Sequence, residues 1–244
     1  MSLAPPCWIC GGGAAETREH RAKASDLRSL FGDPTQAHPL YFHTDKRRNF
    51  RAASLKADVL KFSHRICVHC NSARTQPHDR AWAVFSETLR ARRPPIVAGD
   101  VLRLNRIFPY DTKREMRHVH LYFVKAFGCQ IVEGNIAIDI ALFSRAILQD
   151  RPHPNLYLAF APTPKGSDDP VIAGGSDVHV AMLARQCASA TWFDEVGNLS
   201  VNVMYAIEGE RRSGLTHAWH PRLGDKHLVM ATFAPDQVGE EGLG

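Results

Sequence analysis

Four cysteines in two Cys-x-x-Cys pairs, Cys7 with Cys10 and Cys67 with Cys70, carry the most specific chemistry in this chain of 244 residues. Two intervening residues make a tight knuckle from which both sulfurs reach one tetrahedral Zn²⁺ at about 2.3 Å, and two knuckles close a structural site. A thioredoxin-like redox couple would account for one pair and leave the second without a purpose. Cys129 and Cys187 stand alone in AFGCQIV and ARQCASA, settings in which cysteine behaves as a small buried hydrophobe. Between the pairs lies Glu19-His20, and Asn71 directly follows the last cysteine.

These residues need elements to hold them. Residues 7–20 read as a knuckle hairpin, with Gly11-Gly12-Gly13 permitting the positive φ of a tight turn. A short helix is predicted over Ala24–Phe31, with Ser25 and Asp26 as caps, Leu27, Leu30 and Phe31 as its apolar face and Gly32 as its stop. The stretch GDPTQAHPLYFHTDKRRNF reads as a substrate-facing loop with a short strand around Leu40–His43. After the second knuckle Pro77 opens a helix across Asp79–Arg92, with Asp79 as its N-cap and Trp82, Phe85 and Leu89 on one face. Pro94-Pro95 ends it and marks a domain boundary. Beyond it, helices are predicted at Arg114–Phe127 and Ile136–Leu148, and strands at Leu156–Ala161, Val178–Leu183, Leu199–Ile207 and Leu228–Phe233, which assemble as an antiparallel sheet.

The net charge of +5 is unevenly spread. Residues 1–94 hold 16 Lys+Arg against 8 Asp+Glu, and residues 95–244 hold 14 against 17. A small module with that basic excess has the footprint of a phosphate-backbone binder, with Lys46, Arg47, Arg48 and Arg51 as one cluster and Arg90, Arg92 and Arg93 as another; a solvated basic face is the plain alternative. No run approaches the length of a membrane span, and MSLAPPCWIC lacks the basic-then-apolar pattern of a secretory leader. Paired knuckles fit a reducing compartment, so a cytoplasmic protein is expected.

The segments CWIC, TREHRAKASDLRSLFG and ICVHCNSARTQPHDRAW resemble the HNH endonuclease superfamily in its four-cysteine, zinc-stabilised form, over residues 7–82. The resemblance implies a treble-clef (ββα-metal) module built on zinc at Cys7, Cys10, Cys67 and Cys70, with a separate catalytic divalent ion. Glu19-His20 matches the family's acidic-His pair, and Asn71 the position after the last cysteine. On that reading His20 takes a proton from water, while Glu19 and Asn71 position Mg²⁺ or Mn²⁺. Phe62, Ser63 and His64 stand where the family has its middle asparagine; His64 is the substitute, orienting His20 or touching phosphate, and Asn49 is a second candidate. Arg21, Lys46, Arg47, Arg48, Arg51 and Arg74 are expected to meet nucleic acid.

Each residue also has a plain reading. Asn71 caps the following helix, Glu19 is a surface charge, and His20 hydrogen-bonds the zinc sulfurs. His78 is a candidate extra ligand, and His69 faces solvent or phosphate. In the second half no phosphate loop or hydrolase elbow is present. On a helix His118 and His120 point to different sides, and His217 and His220 read as a loop. The expectation is an α+β protein: a zinc-bound HNH module at residues 1–94, then a mixed domain at 95–244 that serves specificity, regulation or homo-oligomerisation. Its expected activity is metal-dependent cleavage of DNA, with RNA as a further substrate and a silent zinc module binding nucleic acid or protein as the alternative.

Overall fold

A computed structural model of the chain describes residues 5–12, 14–43, 48–163, 171–210, 217–223 and 226–232. The elements run β1 (Thr17–His20), α1 (Ala24–Phe31), β2 (Leu40–Phe42), β3 (Phe50–Ala52), β4 (Lys61–Ile66), α2 (Gln76–Ala91), β5 (Val101–Arg103), α3 (Thr112–Gly134), α4 (Ile140–Leu148), β6 (Leu156–Pro162), β7 (Ala173–Gly175), β8 (His179–Leu183), β9 (Gln186–Val196), β10 (Leu199–Ala206) and β11 (His227–Val229). The protein is α+β, with four α-helices among the described residues and every strand pair antiparallel.

The N-terminal third follows the order strand, strand, helix around the cysteines. β1 pairs with β4, Thr17 opposite Ile66 and His20 opposite Lys61, with an irregularity between Arg18 and His20. β4 runs into the second knuckle, and one π-helical turn, Cys70–Arg74, leads to α2. Between β1 and β4 sit α1 and the β2–β3 hairpin, which close over a small satellite core of Leu27, Ala52, Leu55 and Leu60.

The larger sheet has the order β6-β10-β9-β7, with β8 also on β9. β6 and β10 are buried on both faces. One face meets the helices, through Phe160 against Phe85 and Phe123 and through Trp192 against Phe127. The other face carries a smaller cluster of Tyr157, Ala159, Ala161, Met204 and Ala231. The predicted strands at 156–161, 178–183, 199–207 and 228–233 correspond to β6, β8, β10 and β11, whereas the sequence reading missed β9, the strand that holds the sheet together. Its Ala, Ser, Thr and Cys positions give a weak apolar alternation that only its partners β7, β8 and β10 complete.

α3 lies at the centre, between α2 and the sheet. Trp82 of α2 stacks on Tyr122 with ring centroids 5.3 Å apart and meets Phe123 edge-on at 4.8 Å. The helix is longer than the predicted Arg114–Phe127. Gly128 sits mid-helix, where Trp8 of the first knuckle packs against it; a Cβ at Gly128 would lie 2.5 Å from Trp8 Cη2. Asp111 caps the start by accepting from the Arg114 N–H, and Asn135 ends the helix in the left-handed conformation. One core therefore includes Cys7, Ile9, Cys70 and Trp82 together with Phe123, Phe143, Phe160 and Trp192, from both sides of residue 94.

Two predicted caps have other roles. α1 begins after Lys23 with no side-chain cap. Asp26 is instead buried, accepting from Trp82 Nε1 at 3.0 Å and facing the Arg90 guanidinium at 3.4 Å, so it binds α1 to α2. Asp79 falls within the first turn of α2 rather than before it.

The far end of α3 carries a buried histidine group. His120 Nε2 accepts from the His153 N–H, His153 Nδ1 from the Asn155 N–H, and His220 Nδ1 from the Arg222 N–H, while His220 Nε2 donates to the His153 carbonyl. Burial, reinforced by His220, holds His153 down to about 3 and His120 well below its ordinary value. In the unfolded chain such rings gain a proton near about 6.5, so below that pH the unfolded state binds more protons. The stability they contribute is complete above about pH 6.5 and is lost as pH falls toward 3. Thermal melts between about pH 7.5 and pH 5 should show a falling midpoint, and His153→Gln, less stable throughout, should show a shallower fall.

Candidate functional site

The two knuckles are built alike. The Gly11 N–H bonds the Cys7 carbonyl at 2.8 Å, and the Asn71 N–H bonds the Cys67 carbonyl at 3.0 Å. Gly11 has φ +68°, a turn that disfavours side chains. The Cys70 N–H points at Cys67 Sγ. All four sulfurs lie within 4.8 Å of one another. Sulfurs about 2.3 Å from a tetrahedral centre stand about 3.8 Å apart, which is the Cys10 to Cys67 separation, 3.8 Å. The four-cysteine cluster can hold zinc. Burial, with neighbouring sulfurs, pushes the Cys70 thiol up. At Cys7 burial acts the same way, but backbone N–H groups from Cys67, Cys10 and Ile9 outweigh it and the thiol is lowered.

Beside this cluster β1 delivers Glu19 and His20 to different partners. His20 Nε2 lies 2.9 Å from the Leu55 carbonyl. A carbonyl only accepts, so that nitrogen carries the hydrogen and Nδ1 keeps the lone pair. Glu19 Oε2 lies 3.2 Å from Lys125 Nζ, and the same ammonium lies 2.8 Å from Asp79 Oδ1. The Lys125 side chain is 1% exposed. Burial works against its charge, but Glu19 and Asp79 outweigh burial and hold it above the ordinary lysine value. Lys23 donates to the Asp79 backbone carbonyl and closes the group.

Asn71 uses its N–H in the knuckle, and its Oδ1 is buried with no hydrogen-bond donor among the described residues.

His64 turns to Glu133 of α3. Glu133 accepts from His64 Nδ1 at 3.0 Å, from Ser63 Oγ at 2.7 Å and from the Ser63 and His64 N–H groups, and it pairs with Arg21 at 2.6 Å. Burial raises that carboxyl, but the hydrogen bonds from Ser63 and His64 outweigh it and bring it to about 2. Arg21 also lies over the Phe62 ring.

Among the remaining basic residues, Arg48 is exposed and Arg51 is exposed with a bond to the Gln36 carbonyl. Arg74 reaches His69 at 3.4 Å, Arg90 turns inward to Asp26, and Arg92 pairs with Asp100 across 3.6 Å. Arg92 also lines a cleft of about 580 Å³ with Arg103, Arg106, Leu102 and Ile107. Lys46 and Arg47 lie outside the described residues.

The sequence reading missed Lys125 and Glu133. With Cys129 they recur at i, i+4 and i+8, one stripe of α3. Charges within the apolar run from Val119 to Val132 and at its end are the signal that could have found them, although nothing local tells which partners they meet. Among known proteins no family model, curated protein or solved structure matches the chain.

Two outcomes test this arrangement. The protein should contain one zinc per four-cysteine cluster, and Cys70→Ser should lose it along with the thermal transition of the wild type, as read by metal analysis and circular dichroism. Lys125→Met leaves Glu19 and Asp79 facing each other without their cation and should cost about 3 kcal/mol in urea unfolding. Adding Glu19→Gln and Asp79→Asn to that variant should recover most of the loss.

Proposed function

We propose that the protein is a metal-dependent endonuclease of the HNH type that hydrolyses phosphodiester bonds of DNA, with the four-cysteine zinc module as its cutting unit. The observation that carries the reading is the set of His20. Its ring is oriented by a backbone carbonyl, with the acceptor nitrogen on the other side, as a general base requires. The order β1, β4, α2 around the cysteines supports the same reading.

In this account His20 Nδ1 takes the proton from the attacking water. Glu19 and Asn71 would hold the divalent ion, which when bound supplies positive charge for the phosphate and the leaving oxygen. Exposed Arg48 and Arg51 hold the backbone on either side through phosphate contacts, which position without reading sequence. Restriction or defence against phage are the settings in which such a cutter with an appended unit would serve.

A second reading is favoured by one specific observation. Lys125 already pairs with both Glu19 of β1 and Asp79 of α2. A module whose carboxylates are satisfied by an internal ammonium binds nucleic acid or a protein partner without cutting.

Purified wild type and His20→Ala, compared on supercoiled plasmid, single-stranded DNA and RNA with Mg²⁺ or Mn²⁺, separate the two. The endonuclease reading expects cleavage of DNA that EDTA abolishes and that the variant lowers by about 10²–10⁴-fold, with zinc content unchanged. Retarded DNA migration without cleavage by either protein would establish the second reading, and equal cleavage by both would remove His20 from the chemistry.

A further inference from the structure

A second group of metal-ligating side chains lies outside both the cysteine cluster and the Glu19–His20 strand. His78 from the first turn of α2, His118 from the second turn of α3 and Asp150 from the turn after α4 each place a ligand atom within 4.8 Å of the other two. Residues so far apart in sequence meet only because α2, α3 and the end of α4 pack together. We propose that His78, His118 and Asp150 form a mononuclear site for a first-row transition-metal dication, held by two imidazoles and one carboxylate.

The details fit ligation better than ordinary core packing. His78 is 3% exposed, and its Nδ1 is buried with no hydrogen-bond partner. A buried nitrogen without a partner is costly unless something occupies its lone pair. The His78 and His118 rings stand 5.4 Å apart, tilted at 49°, rather than stacked face to face. His118 Nε2 is 3.4 Å from Asp150 Oδ1, the spacing of two ligand atoms each about 2.0–2.2 Å from a shared ion.

An outer partner is in place for the carboxylate. Arg117 grips Asp150 through two contacts, 2.6 Å to Oδ2 and 3.2 Å to Oδ1. Donors that steady a ligating carboxylate surround metal sites of this class. His118 Nδ1 is buried with no hydrogen-bond partner, the Glu115 carboxylate standing 3.8 Å away. Asp150 holds its place in the left-handed conformation, φ +49°. Two imidazoles select Zn²⁺, Fe²⁺, Co²⁺ or Mn²⁺ over Mg²⁺ and Ca²⁺, and three protein ligands leave coordination positions open. Those positions face outward, since the Asp150 side chain is 48% exposed. The ion joins the zinc module to the rest of the chain and presents a Lewis acid to solvent. His120, two residues further on, belongs to the other histidine group, so the pair in the HVH segment divides between two sites.

The test uses the full chain with its cysteine cluster already filled with zinc, titrated with Co²⁺ and followed by calorimetry and visible absorption. The expected result is uptake of one further ion per chain at micromolar concentration or below, with ligand-field bands and no thiolate-to-cobalt charge transfer. His118→Gln and Asp150→Asn should each weaken that uptake by about 100-fold with cysteine-bound zinc retained. Absence of a second ion in the wild type, or unchanged uptake in both His118→Gln and Asp150→Asn, would overturn the assignment. Neither result depends on whether the protein cleaves DNA.

Discussion

A lysine ammonium removed from water needs compensating charge, and at Lys125 that compensation comes from two different elements. Glu19 arrives on β1 and Asp79 on α2, so the cost of burying one charge is met only when strand, helix and α3 are assembled together. The same face of α3 makes other contacts of this kind. Glu133 takes four donors from Ser63 and His64 and pairs with Arg21, and Gly128 lets the Trp8 indole lie against the helix. The small four-cysteine module is thereby bound to the rest of the chain by charge, hydrogen bonds and close packing at once. The main core takes residues from both, beside a small satellite core under the β2–β3 hairpin and another on the far face of the sheet.

This constraint bears directly on the chemistry. A strand that held Glu19 at the surface would leave it open to any cation; here its position is set by an internal one. His20 and Asn71 escape that constraint, the first oriented by the Leu55 carbonyl and the second left with an unsatisfied oxygen beside the knuckle. The electrostatics of the face therefore turn on how Lys125 is shared between Glu19 and Asp79. The bond between His64 and Glu133 shows a polar residue of the strand hairpin drawn into the α3 interface in the same way.

Histidines divide along α3 by the partners that packing brings to them. Near one end His120, His153 and His220 each bond backbone groups through a ring nitrogen, and burial holds His120 and His153 below their ordinary values. His118, on the adjoining face, meets His78 and Asp150 with nitrogen atoms turned toward a common point. Chemically identical residues two positions apart thus enter different environments because a buried helix has a different neighbour on each side.

Much of the local structure was legible in the sequence. The Cys-x-x-Cys spacing dictates the two knuckles, and the periodicity of Trp82, Phe85 and Leu89 dictates the buried face of α2, because both depend on geometry within a few residues. Alternation placed β6, β8 and β10, and Gly32 stopped α1 where expected. What needed the tertiary structure was every contact between distant segments. Asp26 reads as a cap until Trp82 and Arg90 come to it, and Asp79 reads as a cap until Lys125 does. The weakly patterned β9 becomes a central strand only between its neighbours. His78, His118 and Asp150 are three unrelated residues in the sequence, and packing of α2 against α3 is what makes them a site. Local sequence encodes propensity and spacing, whereas the partner of a buried charge is chosen by which surfaces the whole chain must bring together.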